Sequence, residues 1–206
     1  MSLSLWKISH WKFVVLALVM AMPAAAGDAE RGKSISAVCT ACHGQDGNSI
    51  AGAFPSIAGQ SERYIFNQMR DMKSGARNPG AMAGIADGFS EQDFSDLAAY
   101  YASQTPKGGV AGAGLAEMGE QIYLAGIKRK DIAACSSCHS PSGKGNAAAG
   151  FPALHGQWPE YTAAQLKAFR SKQRTNDGDA QMMQAVAMDL SDDEIEAVSS
   201  YLRGLR

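Results

Sequence analysis

The chain has 206 residues, of which 46% are hydrophobic and 19% are charged, and its formal net charge is −1. This composition is typical of a globular protein and excludes a disordered or fibrous chain. The near-neutral charge argues against a nucleic-acid-binding protein, which carries a basic excess.

The first 26 residues have the layout of a secretory signal peptide. Lys7 and Lys12 give a positive start, residues 13–22 are apolar, and small residues end at Ala26. The alternative, a membrane anchor, fits poorly, because this apolar run would span about 15 Å as a helix, half of a bilayer core. We expect cleavage after Ala26 and export to the periplasm, with loose attachment to the inner membrane left open. Loss of the two lysines changes the net charge to −3.

The first half of the remaining chain predicts three helices separated by glycine-rich loops. One covers residues 28–38 and leads into the first cysteine pair, and a second covers residues 62–74, where apolar residues recur at helical spacing. A third begins at Ser90, because Ser90-Glu91-Gln92-Asp93 resembles a capping box. No alternating strand pattern is present in the sequence, so an all-α fold is expected.

The second half repeats the features of the first in the same order. The matching segments are residues 39–43 and 135–139, residues 54–60 and 151–157, and residues 90–100 and 191–201. A glycine-rich stretch with one proline separates the two halves. We therefore expect two homologous domains after the signal peptide. The expected boundaries are signal peptide 1–26, N-terminal domain 27–104, linker 105–114 and C-terminal domain 115–206.

Each half carries one C-x-x-C-H motif. The motif residues are Cys39, Cys42 and His43 in the first half and Cys135, Cys138 and His139 in the second. Positions i, i+3 and i+4 of a helix share one face, so the two thiols can form thioethers with a haem and the imidazole can bind its iron. C-x-x-C-H is the attachment signal of c-type haem. Two copies in a repeat therefore predict two covalently bound haem c groups.

Three other uses of these cysteines fit less well. A zinc site takes four ligands, whereas each motif supplies three. A thioredoxin-like redox pair needs a βαβ context that this sequence lacks. Structural disulfides leave unexplained why a histidine follows each pair.

The repeat also selects a methionine as the second axial ligand of each iron. Met82 lies in a glycine- and alanine-rich loop, eight residues before Ser90. Counting back the same eight residues from Ser191 selects Met183 over its neighbour Met182. We therefore predict Met82 and Met183 as axial ligands.

The sequence leaves the roles of several other residues open. His155 stands where the first half has Ala58, so we expect a loop residue near the second haem rather than a ligand. The carbonyls of Pro55 and Pro152 are candidate acceptors for the ring N–H of the motif histidines, or the prolines simply form packed turns. Four side chains either reach haem propionates or have ordinary surface and core roles: Tyr64, Arg77, Tyr161 and Arg174.

These features resemble the dihaem cytochrome c4 family over essentially the whole chain after residue 26. The resemblance rests on residues 39–48, 54–60, 63–64, 174–179 and 190–205. It implies two class-I-like cytochrome c domains related by a pseudo-two-fold axis, with haems facing each other across the interface. It also implies axial ligation by His43, Met82, His139 and Met183.

The resemblance further implies an electron carrier rather than an enzyme, with redox proteins as partners and no small-molecule substrate. Electrons would pass from a membrane quinol:cytochrome c oxidoreductase to a terminal haem-copper oxidase. One alternative is the dihaem cytochrome subunit of a flavin-dependent sulfide dehydrogenase or similar complex. A dihaem peroxidase-type or thiosulfate-oxidising enzyme needs an open or unusually ligated iron, which a methionine in register for each haem disfavours. Residues 128–130 are expected to form a solvated basic turn rather than a docking patch.

Overall fold

The computed structural model describes residues 26–205, so the positive start and apolar run of the predicted signal peptide lie outside the described residues. Within this range the fold is helical, and its extended pairing is confined to two isolated bridges, Ile127 with Ile132 and Asn146 with Phe151. No helix among residues 26–205 has the length and hydropathy needed to cross a membrane. The α-helices of the described range are α1 Ala29–Ile35, α2 Thr40–His43, α3 Glu62–Ser74, α4 Glu91–Ala102, α5 Ala116–Ala125, α6 Ser136–His139, α7 Pro159–Arg170, α8 Met182–Ala187 and α9 Asp192–Gly204.

The N-terminal domain is built around the crossing of α1 and α4. Asp28 caps α1 by accepting hydrogen bonds from the N–H groups of Glu30 and Arg31. The helix predicted over residues 28–38 ends earlier, at Ile35, and a 3₁₀ turn, Ser36–Cys39, continues into α2. The core collects buried apolar side chains from α3 and α4, namely Ile65, Met69, Phe94, Leu97 and Tyr101.

The C-terminal domain repeats this arrangement with α5 and α9. Its core is formed by Ile122, Tyr123, Ile195, Val198 and Leu202. Ser90 and Ser191 both form complete capping boxes at the start of α4 and α9, with Asp93 and Glu194 as the reciprocal partners. The final helix of each domain is therefore started by the same device, since each box satisfies two otherwise unpaired N–H groups.

The linker and one tryptophan tie the two domains together. Asn48 accepts a hydrogen bond from the N–H of Lys107, and the N–H of Gly109 donates to the carbonyl of Arg203. The indole N–H of Trp158 donates to the carbonyl of Ser49 at 2.9 Å. The guanidinium of Arg203 lies 3.8 Å from the centre of that indole. These bonds hold the inner surfaces of the two domains in contact, which positions the residues described next.

Candidate haem sites and the domain interface

Each C-x-x-C-H motif forms a tight helical turn. Cys39 ends the 3₁₀ turn before α2, and Cys135 directly precedes α6. No two of the four cysteines are joined by a disulfide. Burial raises the pKa of the Cys39 thiol and raises that of Cys135 to about 11. Both side chains pack against the core of their own domain. No cluster of three or more His, Cys, Asp or Glu side chains within residues 26–205 is arranged to hold a metal ion.

A proline carbonyl orients each buried motif histidine. The Nδ1 atom of His43 lies 2.8 Å from the carbonyl oxygen of Pro55, and that of His139 lies 2.9 Å from the carbonyl oxygen of Pro152. A carbonyl only accepts, so Nδ1 carries the proton and the lone pair of Nε2 is available to a metal. Burial lowers the pKa of both imidazoles, which favours the neutral, metal-binding form. Of the two roles that the sequence leaves open for these prolines, the structure shows the first, since their carbonyls accept the ring N–H of the motif histidines.

A cavity of about 480 Å³ opens beside the first motif. Its lining includes both cysteines of that motif together with His43 and Met82. The cavity also extends across the domain interface to Tyr161 and Arg174. Its volume lies in the range of about 300–1,000 Å³ that is typical of cofactor pockets. The structure thus brings the first predicted attachment motif and its predicted methionine to one cavity.

The two methionines selected by the repeat lie in different local structures. Met82 ends a 3₁₀ turn, whereas Met183 is the second residue of α8. Both side chains are half-buried. The competing Met182 and Met188 are 45% and 53% exposed. Because a ligand of an enclosed iron has to point inward, the exposure favours Met183 over both competitors.

Two arginines, the half-buried Arg77 and the buried Arg174, meet at the interface from opposite domains. Arg77 donates to Gln68 of its own domain at 2.7 Å. It also donates to the hydroxyl of Tyr161 at 3.0 Å and to Gln165 at 3.1 Å, both in the C-terminal domain. Arg174 makes the equivalent bonds in the opposite direction. It donates to Gln165 of its own domain at 2.8 Å, and to the hydroxyl of Tyr64 and to Gln68 of the N-terminal domain, both at 3.0 Å. This exchange of equivalent partners is what a pseudo-two-fold relation between the repeats produces.

The arginine pair concentrates positive charge at this interface. These hydrogen bonds go to neutral oxygen atoms, and neither guanidinium forms a salt bridge within residues 26–205. Burial would raise the pKa of Tyr64, but Arg174 and Arg77 lower it overall. A buried guanidinium without a carboxylate partner is unfavourable, so the interface suits an anionic group such as a haem propionate. The hydroxyl of Ser56, which lines the same cavity, is buried without a hydrogen-bond partner. The residues therefore fit a haem with its propionates at the interface.

The remaining predicted residues fit their expected roles in part. His155 is half-buried, and its N–H donates to the carbonyl of Gly143. The basic residues Lys128–Lys130 form a turn in which Lys128 and Arg129 are exposed, as predicted, and Lys130 is half-buried. Arg129 and Lys130 form salt bridges with Glu194 at 2.9 and 2.6 Å, so the turn is attached to the start of α9.

Comparisons with known proteins agree with this geometry. The model of the cytochrome c family matches the chain twice, over residues 29–105 and 116–206. Cytochrome c4 of Azotobacter vinelandii is 49% identical over 191 residues, which cover 88% of this chain and 90% of that protein. The chain belongs to the cytochrome c4 family. The crystal structure of reduced recombinant cytochrome c4 from Pseudomonas stutzeri matches with a TM-score of 0.86 and 48% identity, covering 88% of this chain and 100% of that one. A thiosulfate dehydrogenase electron acceptor from Stutzerimonas stutzeri (strain A1501) is 36% identical, covering 95% of this chain and 94% of that protein.

Membership of the cytochrome c4 family confirms the all-α fold with two tandem cytochrome c domains. It also confirms the cofactors, two covalently bound haem c groups, one for each C-x-x-C-H motif. Like other cytochrome c4 proteins, the chain is a dihaem electron carrier.

Sequence reasoning missed two glutamines at the cytochrome c4 domain interface. Gln60 and Gln157 end the repeated seven-residue segments, and this repetition was their signal in the sequence. In the structure each side chain crosses to the Phe-Pro segment of the other domain, where Gln60 bonds to the backbone of Ala153 and Gln157 to that of Ser56.

Proposed function

We propose that this chain carries electrons in the periplasm with one haem held in each domain by the residues that the repeat selects. The thioether-forming residues are Cys39 and Cys42 in the N-terminal domain and Cys135 and Cys138 in the C-terminal domain. The axial ligands are His43 with Met82 and His139 with Met183. A haem bound at these residues would supply one-electron chemistry, and a histidine with a methionine would leave its iron no open position. The observation that carries the proposal is that His43, with Nε2 available, and Met82 line one cavity.

The residues around each site hold it in a form suited to electron transfer. The carbonyls of Pro55 and Pro152 fix the orientation and tautomer of the histidines, so no proton has to move when the iron changes charge. Arg77 and Arg174 supply fixed positive charge for propionates between the domains. An iron without an open coordination position does not bind substrate, so the chain has to exchange electrons with other redox proteins.

For those partners we propose a membrane quinol:cytochrome c oxidoreductase as the donor and a terminal haem-copper oxidase as the acceptor. The support is the membership of the cytochrome c4 family together with the predicted export signal. A second donor, a thiosulfate-oxidising enzyme, is favoured by the similarity to a thiosulfate dehydrogenase electron acceptor along nearly the whole chain. Stopped-flow mixing of the oxidised protein with each reduced donor distinguishes them, since the physiological donor should reduce both haems rapidly and the other should not.

The cofactor assignment is tested by intact mass and a pyridine haemochrome assay. We expect two haems on each chain, and a mass without them would refute the proposal. Rapid binding of cyanide by the native ferric protein would contradict saturated irons and would favour an enzyme.

The methionine assignment has a matched pair of variants. Ferric haem bound by methionine has a red charge-transfer band, and Met183→Ala should remove about half of it because one of two equivalent sites loses its ligand. Met182→Ala changes the neighbouring, exposed residue and should leave the band intact. The reverse result would show that the repeat register is wrong by one residue.

A further inference from the structure

The peptide group whose carbonyl orients His43 also forms a hydrogen bond with a side chain of the other domain. The carbonyl oxygen of Pro55 accepts from Nδ1 of His43 at 2.8 Å. The N–H of the same peptide group belongs to Ser56 and donates to Oε1 of Gln157 at 2.9 Å. Nε2 of Gln157 in turn donates to the carbonyl of Ser56 at 2.8 Å. A hydrogen-bonded chain therefore runs from the imidazole in one domain, through one peptide group, to a side chain in the other domain.

The C-terminal domain shows the same chain in the opposite direction. Nδ1 of His139 donates to the carbonyl of Pro152 at 2.9 Å, and the N–H of Ala153 in that peptide group donates to Oε1 of Gln60 at 2.9 Å. Nε2 of Gln60 donates to the carbonyl of Ala153 at 2.9 Å. Because N–H groups only donate and carbonyls only accept, the orientation of both side-chain amides is fixed by their partners.

Each glutamine oxygen is anchored by a second donor. Oε1 of Gln60 also accepts from the N–H of Ser61, and Oε1 of Gln157 accepts from the N–H of Trp158. Each side-chain amide therefore links the backbone of the next residue in its own domain to the backbone of the opposite domain. The bond from the N–H of Ser56 or Ala153 acts on the peptide group that carries the proline carbonyl, and the other bonds hold the amide in the orientation that this bond requires.

The electronic consequence follows from the polarisability of the peptide group. When its N–H donates a hydrogen bond, the carbonyl oxygen of the same group gains negative charge and becomes a stronger acceptor. A stronger acceptor at Nδ1 makes the imidazole a more basic ligand. A more basic ligand stabilises ferric over ferrous iron, and hydrogen bonding around the ligands is one of the means by which proteins set a haem potential.

We propose that Gln157 and Gln60 are positioning residues that each lower the reduction potential of the haem in the opposite domain, acting through the peptide group between the glutamine and the axial histidine. Gln157 of the C-terminal domain acts on the haem bound by His43, and Gln60 of the N-terminal domain acts on the haem bound by His139. The inference rests on the proposed axial role of the two histidines. It makes the domain interface part of the redox site in each domain.

The test is a pair of variants of the full dihaem protein, Gln157→Leu and Gln60→Leu, examined by redox titration followed by NMR. The ring resonances of His43 and His139 assign each potential to its domain. We expect Gln157→Leu to raise the equilibrium constant for reduction of the N-terminal haem at least threefold, which is about 28 mV at 59 mV per tenfold change. The C-terminal haem should change less. Gln60→Leu should give the mirror-image result.

A second readout separates polarisation from a general loosening of the interface. In the reduced Gln157→Leu protein, the His43 Nδ1–H resonance should shift to lower frequency, because its hydrogen bond is weaker, while that of His139 stays in place. Gln157→Met also removes the amide but keeps the side-chain length, so it should give the same shift, and a wild-type potential in this variant would assign the leucine effect to packing. Gln121→Leu, at an exposed position of α5, is the matched control and should move neither potential.

The outcomes separate this inference from the proposed function. Suppose the Gln157→Leu protein keeps two haems and its methionine band. An unchanged N-terminal potential, or equal shifts of both potentials, then overturns the inference and leaves the proposed ligation standing. If His43 shows no haem-shifted resonance in the wild-type protein, the proposed ligation itself is wrong.

Discussion

Gly32 is the point at which the helix leading into the first haem motif crosses the last helix of its domain. A Cβ atom added to Gly32 would lie 2.0 Å from the carbonyl oxygen of Asp96 and 2.9 Å from Cβ of Tyr100, both on α4. Two helical backbones meet here, so no flexible side chain can move aside and α1 has to shift. Such overpacking costs about 1–3 kcal/mol, and the higher helix propensity of alanine offsets about 1 kcal/mol. We expect Gly32→Ala to lower the free energy of unfolding by up to about 2 kcal/mol, because the added Cβ meets backbone atoms that cannot move aside.

Thermal unfolding of the holoprotein, followed by far-UV circular dichroism, measures this effect. For a domain of this size each kcal/mol lowers the midpoint by about 4–8 °C. Gly119, at the equivalent crossing of α5 and α9, would place its Cβ 2.2 Å from the carbonyl oxygen of Ala197, so Gly119→Ala should destabilise the C-terminal domain similarly. Gly88→Ala is the control, because open space surrounds that position. The unfolding midpoint of this variant should not fall. A Gly32→Ala midpoint at or above that of the wild type would refute backbone contact between α1 and α4.

Two further predictions concern the α4 cap and the interface tryptophan. The Ser90 hydroxyl and N–H, together with the Arg31 guanidinium, hold the pKa of Asp93 at about 2, below its ordinary value of 3.8. The stabilisation is therefore present above about pH 4 and is lost as the pH falls through 2, so Asp93→Asn should cost about 1 kcal/mol at neutral pH and little at pH 2. Urea titrations at both pH values measure this, and an equal cost at both would contradict it. Trp158→Phe removes the bond to the carbonyl of Ser49 but keeps an aromatic ring beside Arg203. It should cost about 0.5–1.5 kcal/mol in thermal unfolding, and an unchanged midpoint would show that the bond contributes nothing.

The helices that sequence predicted best are those with a local start signal. The predicted helix over residues 62–74 is α3, because the Ser61 side chain caps its first turn and Gly75 ends it in the left-handed conformation. The resemblance of residues 90–93 to a capping box was also sufficient, since Asp93 takes the place of the usual glutamate. In both cases a few neighbouring residues carry the information, so the tertiary structure adds little to it.

Elements without such a signal were missed. Helix α8 starts after Gln181, which has a positive φ of 47° and no capping side chain, so nothing in the sequence marks its first turn. The first predicted helix breaks at Ile35, although no glycine or proline interrupts the sequence between Ile35 and Cys39, and both of these residues pack against the domain core. These boundaries are set by tertiary contacts, which a single sequence does not specify.

The interface shows most clearly what a repeat can and cannot predict. The repeated segment 54–60 and the recurrence of Tyr64 and Arg77 as Tyr161 and Arg174 imply two similar surfaces. They do not say that each surface uses the other one as its partner. The structure shows this exchange twice, in the arginines and in the glutamines. A duplicated donor and acceptor set can satisfy itself across a two-fold axis without any new residue type, since every donor on one copy finds its acceptor on the other. Some of the polar groups around each haem site therefore find their partners in the opposite domain, so we expect a substitution at one surface to act on the site across the interface.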